Sequence, residues 1–106
     1  MRHITGKELR AYLDRAEHPP VLLDVREPWE YRICHIEGSR LIPMREIPSA
    51  FPSLDSQQET IVICHHGIRS RQVALYLEQQ GFSDIVNLEG GVAGWARDVD
   101  PNMPTY

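Results

Sequence analysis

The stretch Thr60-Ile61-Val62-Ile63-Cys64-His65-His66-Gly67-Ile68-Arg69-Ser70-Arg71 decides how this chain reads. Its first four residues are uncharged and β-branched, the composition of a short strand buried on both faces. From about Arg69 to Gln80 the pattern turns helical. Val73, Ala74, Tyr76 and Leu77 give that helix an apolar side, and Gly81 is placed to end it in the left-handed conformation. A strand, a tight loop and a helix in that order predict an α/β domain built on a mostly parallel central sheet, with helices on both faces.

Working outward, the same alternation continues. Thr5-Gly6-Lys7-Glu8 reads as a capping box, and Leu9, Tyr12, Leu13 and Ala16 follow at helical spacing until Pro19-Pro20. Val21-Leu22-Leu23-Asp24-Val25 is a second buried strand. Pro28 opens a short helix through Trp29, Tyr31 and Ile33, and Gly38-Ser39 turns the chain into a strand at Leu41-Ile42. Pro43, Pro48 and Pro52 cut the next stretch into short helical pieces. Ile85-Val86-Asn87-Leu88 is a further strand, followed by a tight Gly90-Gly91 turn and a short helix carrying Trp95. Both tryptophans are expected in the core. Residues 1–99 form one domain, and 100–106, with two prolines, form an extended tail.

Bulk properties narrow the function. The chain has 106 residues, the size of one domain, with 42% hydrophobic and 25% charged residues. A net charge of −4 favours neither nucleic acid nor an anionic membrane as partner. Two cysteines, Cys34 and Cys64, are too few for a disulfide framework or a zinc site. The start lacks the apolar stretch of a signal peptide, and no run approaches the ~20 apolar residues of a membrane span. The expected compartment is therefore the reducing cytoplasm, where a free thiol persists.

The chemistry gathers at Cys64. It is the first residue past a buried strand, where ligands collect in open α/β sheets. Gly67 permits a close turn, so successive backbone N–H groups point inward as an anion-binding nest. The helix behind it adds unpaired N–H groups and a partial positive charge. Cys64 to Arg71 holds two arginines, two histidines and no acid, a basic island in an acidic chain. A free cysteine ionises near pH 8.5, and such surroundings lower that value to between roughly 3.5 and 7.5. Cys64 is thus expected to be a thiolate nucleophile. The alternative is a buried structural cysteine at a strand end.

Cys64, Gly67, Arg69 and Ser70 resemble the Cys-x-x-Gly-x-Arg-Ser loop of rhodanese-like sulfurtransferases. Leu23-Asp24-Val25-Arg26-Glu27 with Trp29-Glu30-Tyr31 resembles that family's Asp-Val-Arg-Glu segment. His35-Ile36-Glu37-Gly38-Ser39 is similar to its His-Ile-x-Gly-Ala segment, and Leu88-Glu89-Gly90-Gly91 with Trp95 to its closing Leu-x-Gly-Gly-x-x-x-Trp. The resemblance implies a rhodanese-like fold and a two-step reaction. Cys64 takes the outer sulfur of an anionic donor such as thiosulfate, becomes a persulfide, and passes the sulfur to cyanide or a thiol. It implies further that the backbone from His65 through His66, Gly67, Ile68 and Arg69 to Ser70 cradles the persulfide. Arg69 orients the donor, and Asp24 and Arg26 support the pocket. No cofactor or metal is implied, and a sulfur-relay protein is a further class of partner.

Cys34 stands where the family often has glycine. It is either a resolving thiol for Cys64 or, as its place on a helix face favours, a small buried residue. His35 is expected to make a structural hydrogen bond. Two other functions compete. Cysteine phosphatases, some on this fold, use Cys-x5-Arg, whereas Cys64 to Arg69 is Cys-x4-Arg, a tighter loop that suits one sulfur atom. Inactive rhodanese-like binding modules usually lack the cysteine that is present here, and a redox sensor using Cys34 and Cys64 is a variant of that reading.

Overall fold

The computed structural model describes all 106 residues. Five parallel strands form one sheet: β1 (Arg2–Ile4), β2 (Val21–Asp24), β3 (Arg40–Leu41), β4 (Thr60–Ile63) and β5 (Ile85–Leu88), in the order β1-β5-β4-β2-β3. Strand β4 is central, buried at all four residues, and registered against both neighbours: Val62 faces Leu23 on β2 and Asn87 on β5.

Five helices cover the sheet: α1 (Gly6–Arg15), α2 (Pro28–Ile33), α3 (Ile47–Ala50), α4 (Ile68–Gln79) and α5 (Gly91–Asp98). Because strand side chains alternate, each strand feeds two cores. One face packs Leu23, Val25, Val62, Cys64 and Ile85 against Ile47 of α3 and Val73, Ala74 and Leu77 of α4. The other packs Leu22, Ile61, Ile63, Val86 and Leu88 against Leu9 of α1 and Val92 and Trp95 of α5. Burying each Val, Leu or Ile among them contributes about 1.5–3 kcal/mol.

The expected elements are present, with short adjustments. The capping box is complete: Glu8 N–H donates to Thr5 Oγ1 at 3.2 Å, and Thr5 N–H to Glu8 Oε1 at 2.9 Å. Gly81 ends α4 with φ +96°. Turns at Met44–Glu46 and Phe51–Ser53 flank α3 in the proline-cut stretch. The strand expected at Leu41-Ile42 is Arg40–Leu41, and α4 begins at Ile68, so the loop is shorter than expected.

Three features differ from the sequence reading. Strand β1 was not anticipated: Arg2-His3-Ile4 has no apolar run, and its pairing with β5 is a backbone interaction. Trp29 is 53% exposed and not in the core, whereas Trp95 is buried at 4%. On α2, Glu30 is turned inward, and its neighbour Trp29, about 100° around the helix, is turned out. The tail is extended only from Pro104. It turns at Asp100–Met103, where Met103 N–H donates to Asp100 O, packs Met103 on the second core, and brings Tyr106 back to the end of the sheet.

Candidate active site

Cys64 follows the central strand directly and is 1% exposed. Two glycine turns shape its loop. Gly67, at φ +101°, lets the chain enter α4 at once, and its N–H points at Cys64 Sγ from 3.0 Å. Gly91, at φ +58°, lets the start of α5 press on the loop from the other side. A Cβ there would lie 2.4 Å from the Cys64 carbonyl oxygen and 2.5 Å from that of His65. The opening N–H groups of α5 use this contact: Val92 donates to Cys64 O at 2.9 Å and Ala93 to His65 O at 3.0 Å. In a trans peptide the C=O and N–H point opposite ways. Tying these carbonyls to α5 therefore turns the His65 and His66 N–H groups away from α5.

The sulfur has one more polar neighbour on the α4 side, itself held by a second buried group. Ser70 Oγ lies 3.3 Å from Cys64 Sγ and donates to Asn87 Oδ1. Ser70 and Asn87 are both buried, at 0% and 3%. The expectation for Ser70 is a backbone contribution; the contact it makes with the sulfur is through its hydroxyl.

A charged network lies beside the loop. Asp24 and Arg26 are fully buried and paired: Arg26 Nη2 and Nε donate to Asp24 Oδ2 at 2.8 and 3.1 Å. Arg26 also donates to Cys34 O at 2.7 Å and to the Tyr106 hydroxyl at 2.8 Å. Tyr106 in turn donates to Glu30 Oε2 at 2.7 Å. Glu30 receives Arg69 in a two-pronged pair, at 2.7 and 2.8 Å, and the Glu27 N–H at 2.9 Å. The Arg69 guanidinium, aided by the Glu27 N–H and Tyr106 against the cost of burial, holds the Glu30 carboxyl at about 2. The same pair raises the Arg69 pKa, so its charge is permanent and already matched by Glu30. Burial pushes the Tyr106 hydroxyl up to about 12, with the Arg26 bond opposing and the Glu30 bond assisting.

The structure brings Cys64, Gly67 and Ser70 together at the sulfur, and sets Arg69 on Glu30 at the loop's end. Asp24 and Arg26 pair with each other and reach the site through Tyr106. Ile68 is 71% exposed. His65 and His66 line a cavity of about 190 Å³ with Cys34, Ala93 and Tyr106. The Tyr106 ring stacks on His65 at 4.2 Å. Burial, and then His66, hold His65 below its ordinary pKa. His35 Nδ1 meets Tyr31 O at 2.9 Å, the structural bond expected of it. Cys34 is buried and packs in the core on the opposite face of the sheet from Cys64, and both cysteines are free thiols.

Sequence reasoning missed Glu30, Asn87 and Tyr106. Asn87 left a signal, as one amide inside the apolar strand Ile85–Leu88. So did Glu30, three residues after Glu27 with Pro28 between, the pattern of a helix start whose acid turns back. Tyr106 left none, because a tail residue's docking is a purely tertiary event.

Comparison with known proteins agrees with this geometry. A family model described as a rhodanese-like domain matches residues 5–98. The thiosulfate sulfurtransferase GlpE of Pseudomonas paraeruginosa is 38% identical over 80% of this chain and 76% of its own. The probable adenylyltransferase/sulfurtransferase MoeZ of Mycobacterium tuberculosis is also 38% identical, over 97% of this chain, which spans only 26% of that relative's length. The crystal structure of a rhodanese-like domain protein from Staphylococcus aureus superposes with a TM-score of 0.83 at 37% identity, covering 90% of this chain and 91% of that one.

Proposed function

The chain belongs to the rhodanese-like family, and from that premise we propose that it is a sulfurtransferase that carries sulfur as a persulfide on Cys64. One observation carries the reading: the Cys64 sulfur sits at the end of the central strand with the Gly67 N–H directed at it from 3.0 Å. Such a donor holds negative sulfur in place.

In the first step the Cys64 thiolate attacks the outer sulfur of a donor such as thiosulfate. A Cys64 S–S bond forms, the donor's own S–S bond breaks, and sulfite leaves with the electron pair. In the second step cyanide or a thiolate attacks the outer sulfur of the persulfide, and the Cys64 thiolate is released. The His65, His66 and Gly67 N–H groups receive the charged sulfur. Arg69 presents its outer edge to the donor while Glu30 holds it in place. Asp24, Arg26 and Tyr106 keep Glu30 where Arg69 needs it. The near-complete burial of Cys64 limits access to the narrow end of a donor.

The names of the relatives support this class of reaction. The proposed acceptor class is a thiol, such as that of a sulfur-relay protein, in the reducing cytoplasm where a free thiol persists. No helix is long and apolar enough to cross a membrane.

The test is turnover with thiosulfate and persulfide donors against cyanide and thiol acceptors, run beside hydrolysis of an aryl phosphate. Sulfur transfer without phosphate release is the expected result. Phosphate release without sulfur transfer would overturn the reading.

A further inference from the structure

Strand β5 carries a single amide, Asn87, in an otherwise apolar and wholly buried run. It lies on the sheet face that carries Cys64 and packs against α4. A buried amide left unpaired is costly, so its partners matter. They also fix its orientation. Asn87 Nδ2 is 3.4 Å from the Gly67 carbonyl oxygen, which can only accept. Nδ2 must therefore face Gly67, and Oδ1 must face Ser70. An amide oxygen can only accept, so the Ser70 hydroxyl must donate to Asn87. With its hydrogen committed there, Ser70 Oγ turns lone pairs toward Cys64 Sγ at 3.3 Å. His3 Nδ1 lies 3.5 Å from Asn87 Nδ2, at the outer end of the chain.

This chain has a direction: S–H to Ser70, Ser70 O–H to Asn87, Asn87 N–H to Gly67. We propose that Asn87 is a positioning residue that holds Ser70 as an acceptor and so favours the protonated form of the resting Cys64 sulfur. The inference rests on Cys64 being the nucleophile.

An ionised sulfur needs donors, and the Gly67 N–H is one. Ser70 becomes a second only if its hydroxyl rotates away from Asn87, which leaves a buried amide oxygen without a partner. Asn87 thereby opposes ionisation through Ser70, while its bond to Gly67 O steadies the loop that favours it. The device guards a reactive thiol between turnovers, and the proton lost on ionisation passes to solvent.

The test is the rate of iodoacetamide alkylation at Cys64, located by peptide mass, at pH 7. It compares the unaltered protein with Asn87→Leu, Ser70→Ala and the double variant. Arg69, Glu30, His3, His65 and His66 are common to all four, so their charges cancel in the comparison. Asn87→Leu frees the Ser70 hydroxyl to donate to sulfur and should raise the rate about fivefold or more, the scale of one added bond to a charged group. Ser70→Ala should leave the rate equal or higher, and the double variant should be no faster than Ser70→Ala alone. A rate that is unchanged or lower in Asn87→Leu, or several-fold lower in Ser70→Ala, would overturn the proposal. If Asn87→Leu does not fold, Ser70→Ala decides alone, since it removes one oxygen atom. Absence of a persulfide on the unaltered protein would instead sink the reading of Cys64 as nucleophile.

Discussion

Arg69 was expected to meet an anionic donor, and its closest partner is Glu30. A two-pronged arginine–carboxylate pair fixes both side chains, so Arg69 serves the site first as a strut. Arg69→Ala should leave the protein folded but lower its kcat/KM for thiosulfate by about tenfold, the order expected when an oriented charge is lost. Steady-state kinetics beside a melting curve read both effects, and unchanged kinetics would remove Arg69 from the donor's path. Glu30 supplies a pH signature. Its carboxyl titrates at about 2 in the folded protein against an ordinary 4.5. Its contribution is therefore complete above about pH 4.5 and is lost as pH falls toward 2. The shift corresponds to at most about 3 kcal/mol, reduced by the solvent that reaches Arg69. Glu30→Gln should lower stability at pH 7 and flatten its decline between pH 4.5 and 2, as denaturant titrations across that range would show. An identical acid limb in the two proteins would contradict the assignment.

Among the elements, α5 has a task that its length conceals. Its first N–H groups hold the carbonyls of Cys64 and His65, and Gly91 makes the approach possible. Gly91→Ala should push the loop away from α5, because the added carbon meets backbone that cannot step aside. The expected result is a loss of about 1–3 kcal/mol in stability, from strain at a left-handed position, and near-complete loss of sulfur transfer. Unfolding and turnover assays would measure the two, and a fully active Gly91→Ala would show that the contact is dispensable. The sequence revealed β2, β4 and β5 through their short apolar runs, α4 through Val73, Ala74, Tyr76 and Leu77, and α1 through Thr5 and Glu8. It could not reveal β1, whose Arg2 and His3 carry no strand pattern and whose pairing is backbone only. Trp29 was misread for a related reason. Composition marks a large aromatic as core, but the facing of a two-turn helix is settled by which residue finds a buried partner, and here that is Glu30.

Across the whole molecule, the sheet keeps the two thiols in separate cores, with Cys64 facing α4 and Cys34 facing α1 and α5. The tail closes the other dimension of the site. Tyr106 joins Arg26 of the β2 end to Glu30 of α2, 80 and 76 residues away in sequence, and spacing along the chain cannot forecast such a link. Tyr106→Phe keeps the ring on His65 and removes only the bridge. It should cost about 1–2 kcal/mol, the scale of hydrogen bonds to charged groups, read as a lower Tm. An unchanged Tm would mean that the tail does not stabilise the network. The central claim is that Cys64 carries the sulfur. Its most direct test is the intact mass of the reduced protein after exposure to thiosulfate and removal of excess donor. The account predicts a gain of about 32 Da, one sulfur atom on a thiolate nucleophile, mapped to Cys64 and absent from Cys64→Ser. No gain in mass with any sulfur donor, or a gain that survives in Cys64→Ser, would contradict it.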